Sequence, residues 1–259
     1  MQIIVDTHVH IYPRFLSSGL FTDIAKRMDL LSDGREHVNV LCLAERNDCH
    51  WFREMKAAGQ VCHVGYGIEA IAGDDLSIAV CCTGAPRLYV MAGRQVVTRE
   101  RLEVLALLCD TEIADGMPVR DVINAVVACG GVPVLSWAPG KWMLGRYAVV
   151  SALLAKEMSN QLLVGDSAVR PQTWREPRLM RLARSRGFTI VSGTDSLPMT
   201  GEEKYIGTYC SILGGEFDPL RPSISMKKLL LAGPSRISSA GRRCGSGEAF
   251  GRLVRQRIG

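Results

Sequence analysis

The chain has 259 residues, 47% of them hydrophobic and 22% charged, a composition that excludes a disordered or collagen-like polymer. Its formal net charge is +5, and no run approaches the ~20 apolar residues of a bilayer span, so no membrane partner is expected. The chain enters a strand-like segment with no basic leader or cleavage site. Its nine scattered cysteines lack a CxxC pair and read as free thiols of a reducing compartment, expected to be the cytoplasm.

The length suits one barrel-sized domain. Apolar, β-branched runs predict a strand over 3–9, a helix over 22–31, a strand over 38–43, a short helix over 51–58 and a strand over 61–68. Segments 78–82, 88–96 and 102–107 follow too closely to leave room for helices and read as neighbouring strands. Alternation then resumes. A helix over 119–128 stops at Gly130-Gly131, and strand 132–136, helix 147–158, strand 162–164, helix 176–185 and strand 188–192 follow, with Gly187 ending the last helix. The pattern predicts a single-domain α/β fold, a distorted (β/α)7–8 TIM-like barrel over 1–234. Residues 235–259 read as a basic C-terminal extension, part of it expected to lack order. Its charges read as a solvated face, so nucleic acid is not expected as a partner.

The chemistry gathers at strand ends. Asp6-Thr7-His8-Val9-His10 closes the first strand, and residues two apart on a strand share a face, so both imidazoles point the same way. Neutral imidazoles are good ligands for zinc, manganese or iron. Ser192-Gly193-Thr194-Asp195 closes the last regular strand, and Gly67-Ile68-Glu69 follows an apolar run. Carboxylates at such ends complete metal sites. His8, His10, Glu69 and Asp195 are therefore the candidate metal ligands, with Asp195 and Glu69 the carboxylates expected to serve catalysis.

In order and spacing these three motifs resemble the polymerase-and-histidinol-phosphatase (PHP) superfamily, over roughly residues 3 to 200. The resemblance implies a distorted seven-stranded barrel holding up to three metals, often a phosphoesterase, with His8, His10, Glu69 and Asp195 at its first metal site. The chain departs from that pattern. Ala44-Glu45-Arg46 stands where the family has Thr-Asp-His, and Glu103 where it has a strand histidine. Ser136-Trp137-Ala138 replaces Ala-His-Pro, and Leu197 replaces the final histidine. A trinuclear site is therefore not expected. One ion is, or two if Glu45 or Glu103 supplies an oxygen.

Lys141 and Arg146, in the glycine-bearing loop after strand 132–136, and Arg170, after the next strand, are candidate binders of an anionic small-molecule substrate. The reading that follows is a metal-dependent hydrolase with a mono- or binuclear site, acting on a phosphoester. The alternatives are an amidohydrolase-type C–N hydrolase and a catalytically degenerate barrel that binds a ligand. A mouth plugged by Trp137 would favour the last.

Overall fold

The first strand, β1 (Gln2–Val9), is buried from Ile3 onward, as an apolar run covered on both faces requires. The computed structural model describes residues 1–17, 19–58, 60–63, 66–82, 87–156 and 160–258. Helix α1 (Leu20–Asp29), strand β2 (His37–Leu43) and helix α2 (Trp51–Ala57) follow as the periodicity predicts. The single strand expected over 61–68 is instead an antiparallel pair, β3 (Gln60–His63) and β4 (Tyr66–Ala70); residues 64 and 65 lie outside the described residues. Strand β5 (Ser77–Cys82) then pairs with β4 and with β6 (Leu88–Met91).

The stretch expected as one strand over 88–96 divides at Ala92 into β6 and β7 (Gly93–Val97), which belong to different sheets. A side chain at Gly93 would place its Cβ 2.0 Å from the Leu43 carbonyl oxygen. Only glycine lets the two sheets approach this closely. The second half alternates regularly: β8 (Glu103–Leu107), α3 (Val119–Ala128), β9 (Val132–Ser136), α4 (Gly145–Lys156), β10 (Leu163–Ser167), α5 (Arg178–Ser185) and β11 (Ile190–Gly193). The chain ends with β12 (Tyr209–Gly214), α6 (Pro222–Leu230), β13 (Ile237–Gly241) and α7 (Ser246–Ile258).

The strands form two mixed sheets, ordered β13-β12-β1-β2-β6-β5-β4-β3 and β11-β10-β9-β8-β7. This corrects the expected TIM-like barrel. Closure would need β11 to pair with β1, but both edges of β1 are taken, by β12 antiparallel and β2 parallel. The hairpins β5–β6 and β7–β8 further replace helical crossovers by antiparallel pairs. The arrangement is an α/β fold of two facing sheets.

Ile3 and Val5 of β1 pack in the space between the sheets with Leu105, Val134, Leu163 and Val191. Ile4 faces the other way, onto Phe21 and Ile24 of α1. Helices α3, α4 and α5 cover the outer face of the five-stranded sheet, where Val122, Val150 and Met180 meet Leu135 and Val164. The segment from 235 onward contributes β13, paired antiparallel with β12, and α7, which carries the fully buried Arg252. No helix among the described residues is long and apolar enough to cross a membrane.

Candidate metal centre

A bulge near the end of β1 aims the two histidines. The register with β2 shifts between Asp6 and Val9, where Thr7 and His8 stand against Cys42 alone. One extra residue reverses the alternation. Val9 therefore joins Ile4 on the helix-facing side. His8 meets Gln95 of β7 and Ser136 of β9, from the opposite sheet, and Asp195, two residues past the end of β11.

His8 Nε2 and His10 Nε2 lie 3.2 Å apart. Asp195 Oδ1 is 3.5 Å from the first and 4.0 Å from the second. A tetrahedral ion with ligands at ~2.0–2.1 Å would hold neighbouring donor atoms ~3.4 Å apart. The three donors fit one divalent cation on that geometry. They are also the one group of three or more such side chains that converges among the described residues.

The surroundings fix these ligands. Ser136 Oγ lies 3.4 Å from His8 Nδ1, leaving Nε2 to face the other donors. Ser167 Oγ donates to Asp195 Oδ2 at 3.1 Å. The Asp195 amide donates to the His8 carbonyl at 2.8 Å, and Ser196 Oγ donates to the His10 carbonyl at 2.9 Å. Asp195 adopts φ +56°, a strained backbone for a residue other than glycine and one that clusters at functional sites. Burial, reinforced by the charge of His8, holds His10 down to about 3, so the ring is a neutral donor. Burial pushes the Asp195 carboxyl up, but His8, His10, Arg252 and Ser167 outweigh it and keep it below its usual range.

Asp6 braces the same corner. Its carboxylate accepts from the Thr194 amide and hydroxyl and from the Gly207 amide. Burial nevertheless raises it to about 6. Arg252 of α7 donates to the Asp195 carbonyl at 3.1 Å while pairing with buried Glu202. Gln95, Ser167 and Arg252 carry no motif, and Ser136 stood only in a segment that departs from the family pattern, so nothing in the sequence assigned these four to the site. Only contacts between distant elements reveal them.

Glu69 does not join the centre. It sits on β4, with β2, β6 and β5 between it and β1, a separation of roughly 19 Å at ~4.8 Å per strand. It pairs instead with half-exposed Arg87 at 2.6 Å. The structure does not bring this expected ligand and catalytic carboxylate to the other three residues. Glu45 is buried, accepts from the Phe52 amide at 2.9 Å and lies 3.6 Å from Arg94. Neither Glu45 nor Glu103 belongs to the converging set, so the arrangement suits a single ion.

Beside the centre lies a cavity of about 170 Å³, bordered by His10, Asp195, Gln95, Arg46, Glu103 and Lys141 among others. Lys141 Nζ is 3.0 Å from a Glu103 carboxylate oxygen. Arg146 does not border the cavity; it donates to the Gly140 carbonyl at 2.6 Å. Arg170 is buried and held by the Asp166 carboxylate through two hydrogen bonds of 2.7 and 2.5 Å. The expected three-residue clamp thus reduces to Lys141, because Arg170 is internally neutralised and Arg146 faces its own loop. Trp137 packs into the helix-covered core and does not plug the cavity. Ala138 and Leu197 border it.

No family model matches the chain, and no curated protein matches it. Solved structures do. PsfC from Pseudomonas syringae PB-5123 superposes with a TM-score of 0.57 at 13% identity, over 99% of this chain and 97% of that one. The lesion-specific endonuclease PfuEndoQ from Pyrococcus furiosus superposes with a TM-score of 0.50 at 11% identity over 90% of this chain. An endonuclease Q complex with a 27-mer duplex bearing an abasic lesion at the active site gives a TM-score of 0.50 at 10% identity. The chain spans 56% and 57% of those two endonuclease chains. At such identities the likeness is one of fold alone. The duplex complex overturns the expectation that a chain of this architecture has no nucleic-acid partner.

Proposed function

We propose that the chain is a metal-dependent hydrolase of phosphoesters, with the phosphodiester of a nucleic acid as its substrate class. The carrying observation is the convergence of His8, His10 and Asp195 beside a cavity that Lys141 borders. The endonuclease Q complex, a neighbour in fold with DNA at its active site, supports the choice of substrate.

His8, His10 and Asp195 would hold the ion, and a divalent cation bound there supplies Lewis-acid polarisation of a phosphoryl oxygen. The protein's own groups do the rest. Ser167 fixes one Asp195 oxygen so that the other faces the imidazoles. Lys141 offers its ammonium to a non-bridging phosphate oxygen, exchanging the Glu103 carboxylate for the substrate. Arg46 borders the same cavity and adds positive charge where the leaving group's charge develops. Leu197 and Ala138 keep that wall apolar and limit water at the reacting centre.

The test uses purified protein loaded in turn with zinc, manganese and iron(II) and a labelled DNA oligonucleotide. Metal-dependent cleavage that is lost in Asp195→Asn and weakened mainly in KM by Lys141→Ala is the expected result. Metal-replete protein that leaves phosphodiester and phosphomonoester substrates intact would count against the proposal.

A further inference from the structure

We infer that a groove beside the metal centre binds single-stranded nucleic acid by stacking bases on Trp174 and Tyr147. The groove lies between the loops that follow the neighbouring strands β9 and β10, with Trp137, Trp142, Tyr147, Trp174, Arg175 and Arg178 among its walls and a volume of about 210 Å³. Trp174 is 50% exposed and Tyr147 is 46% exposed. Two large half-exposed rings lining one groove form an apolar patch of the kind that marks an interaction site.

The backbone that carries Trp174 is held in place. Arg170, locked by Asp166, donates through Nη1 to the Trp174 carbonyl at 3.1 Å, and the Trp174 amide donates to the Pro171 carbonyl. The arginine expected to bind substrate therefore acts as a strut for this loop. A ring presented on a fixed backbone is suited to stacking, since little order must be gained on binding.

Charge selects the occupant. Residues 174–186 contain five arginines and one glutamate. That glutamate, Glu176, is engaged by Arg184 at 2.8 Å. Among the described residues Arg175 and Arg178 form no ion pair and stand exposed at the rim of the groove. Aromatic faces flanked by unpaired arginines are the recognition chemistry of single-stranded nucleic acid, with bases on the rings and phosphates on the cations. An apolar protein partner would instead meet a rim of uncompensated positive charge.

The groove also leads to the reacting centre. The loop carrying Trp137, Gly140 and Trp142 on the groove side presents Ala138, Pro139 and Lys141 to the metal-side cavity. A strand stacked on Trp174 has one loop to cross before a phosphate reaches Lys141. This placement rests on the proposed phosphodiester chemistry, but binding at the groove can be measured without it.

The experiment is fluorescence anisotropy of the full chain with a labelled oligothymidylate of about 16 nucleotides, between about 50 and 200 mM salt. Trp174→Ala should weaken binding about ten-fold or more, and Trp174→Phe should retain most of it. Arg175→Ala combined with Arg178→Ala should lower the salt slope by about 1.4. Wild type that does not bind, or alanine variants that bind as tightly as wild type, would overturn the groove. Preferential binding of the matched duplex, insensitive to Trp174→Ala, would overturn it as well. Asp195→Asn should bind normally but not cleave. If metal-replete wild type binds the oligonucleotide without cleaving it while Trp174→Ala fails to bind, the groove stands and the hydrolase reading falls.

Discussion

The Asp195 amide donates to the His8 carbonyl at 2.8 Å, while its carboxylate oxygen lies 3.5 Å from the same residue's Nε2. One residue pair thus makes both a backbone link between the two sheets and an edge of the candidate metal site. Holding the ligands and joining the sheets are the same structural task.

His8→Ala and Asp195→Asn should each reduce bound metal from about one ion per chain to near zero, because two donors no longer enclose a cation. Circular dichroism should stay close to wild type. Elemental analysis after dialysis measures the first quantity, and full occupancy in either variant would sink the site.

Glu69→Ala gives the contrasting outcome. The residue forms a half-exposed pair with Arg87, so metal content should be unchanged and stability should move by less than about 1 kcal/mol. A loss of metal in this variant would restore Glu69 to the centre.

Gly193→Ala should damage the site without altering any ligand. A Cβ there would sit 2.5 Å from His8 Cβ and 2.6 Å from the His8 nitrogen. The strand must retreat, carrying Asp195 away from the imidazoles. Weaker metal affinity by ten-fold or more, read by chelator competition, is expected, together with a lower unfolding midpoint.

Arg252→Met should lower stability by about 3–5 kcal/mol, since buried Glu202 would keep only the more distant Arg255, 3.9 Å away, as a charged partner. Adding Glu202→Leu should recover most of that loss. Urea unfolding of the two single variants and the double variant gives the coupling. Equal stability of Arg252→Met and wild type would show that α7 does not brace the Asp195 loop.

Glu45 supplies a pH dependence. Burial raises it to about 7 from an ordinary value of 4.5, against the opposing pull of the Phe52 amide and Arg94. Between those values the folded state binds a proton that the unfolded state has released, so stability falls as pH rises through the window. The drop is on the order of 3 kcal/mol. Glu45→Gln, which still accepts from the Phe52 amide, should flatten that slope in unfolding measured from pH 4.5 to 7.5.

The alternation of β-branched runs with amphipathic stretches determined most elements of the chain up to β11. The spacing of His8 and His10 determined that they share a face, because strand geometry is local. The sequence could not say which face. The extra residue opposite Cys42 sends them between the sheets, and a bulge depends on the partner strand's register. Barrel closure failed for a related reason. Periodicity reports that strands exist, but not that β12 would return to occupy the free edge of β1.

Motif position alone likewise made Glu69 look like the equal of Asp195. Both follow apolar runs and glycine. Tertiary structure separates them, placing one on β4 with three strands between it and β1, and the other against His8. The sequence by itself determined the types of donor and the strands that carry them, since both follow from local chemistry and pleat. The packing of two sheets decided which donors meet, because that depends on close approaches, such as Gly93 and Gly193 against the opposite backbone, between residues far apart in the chain.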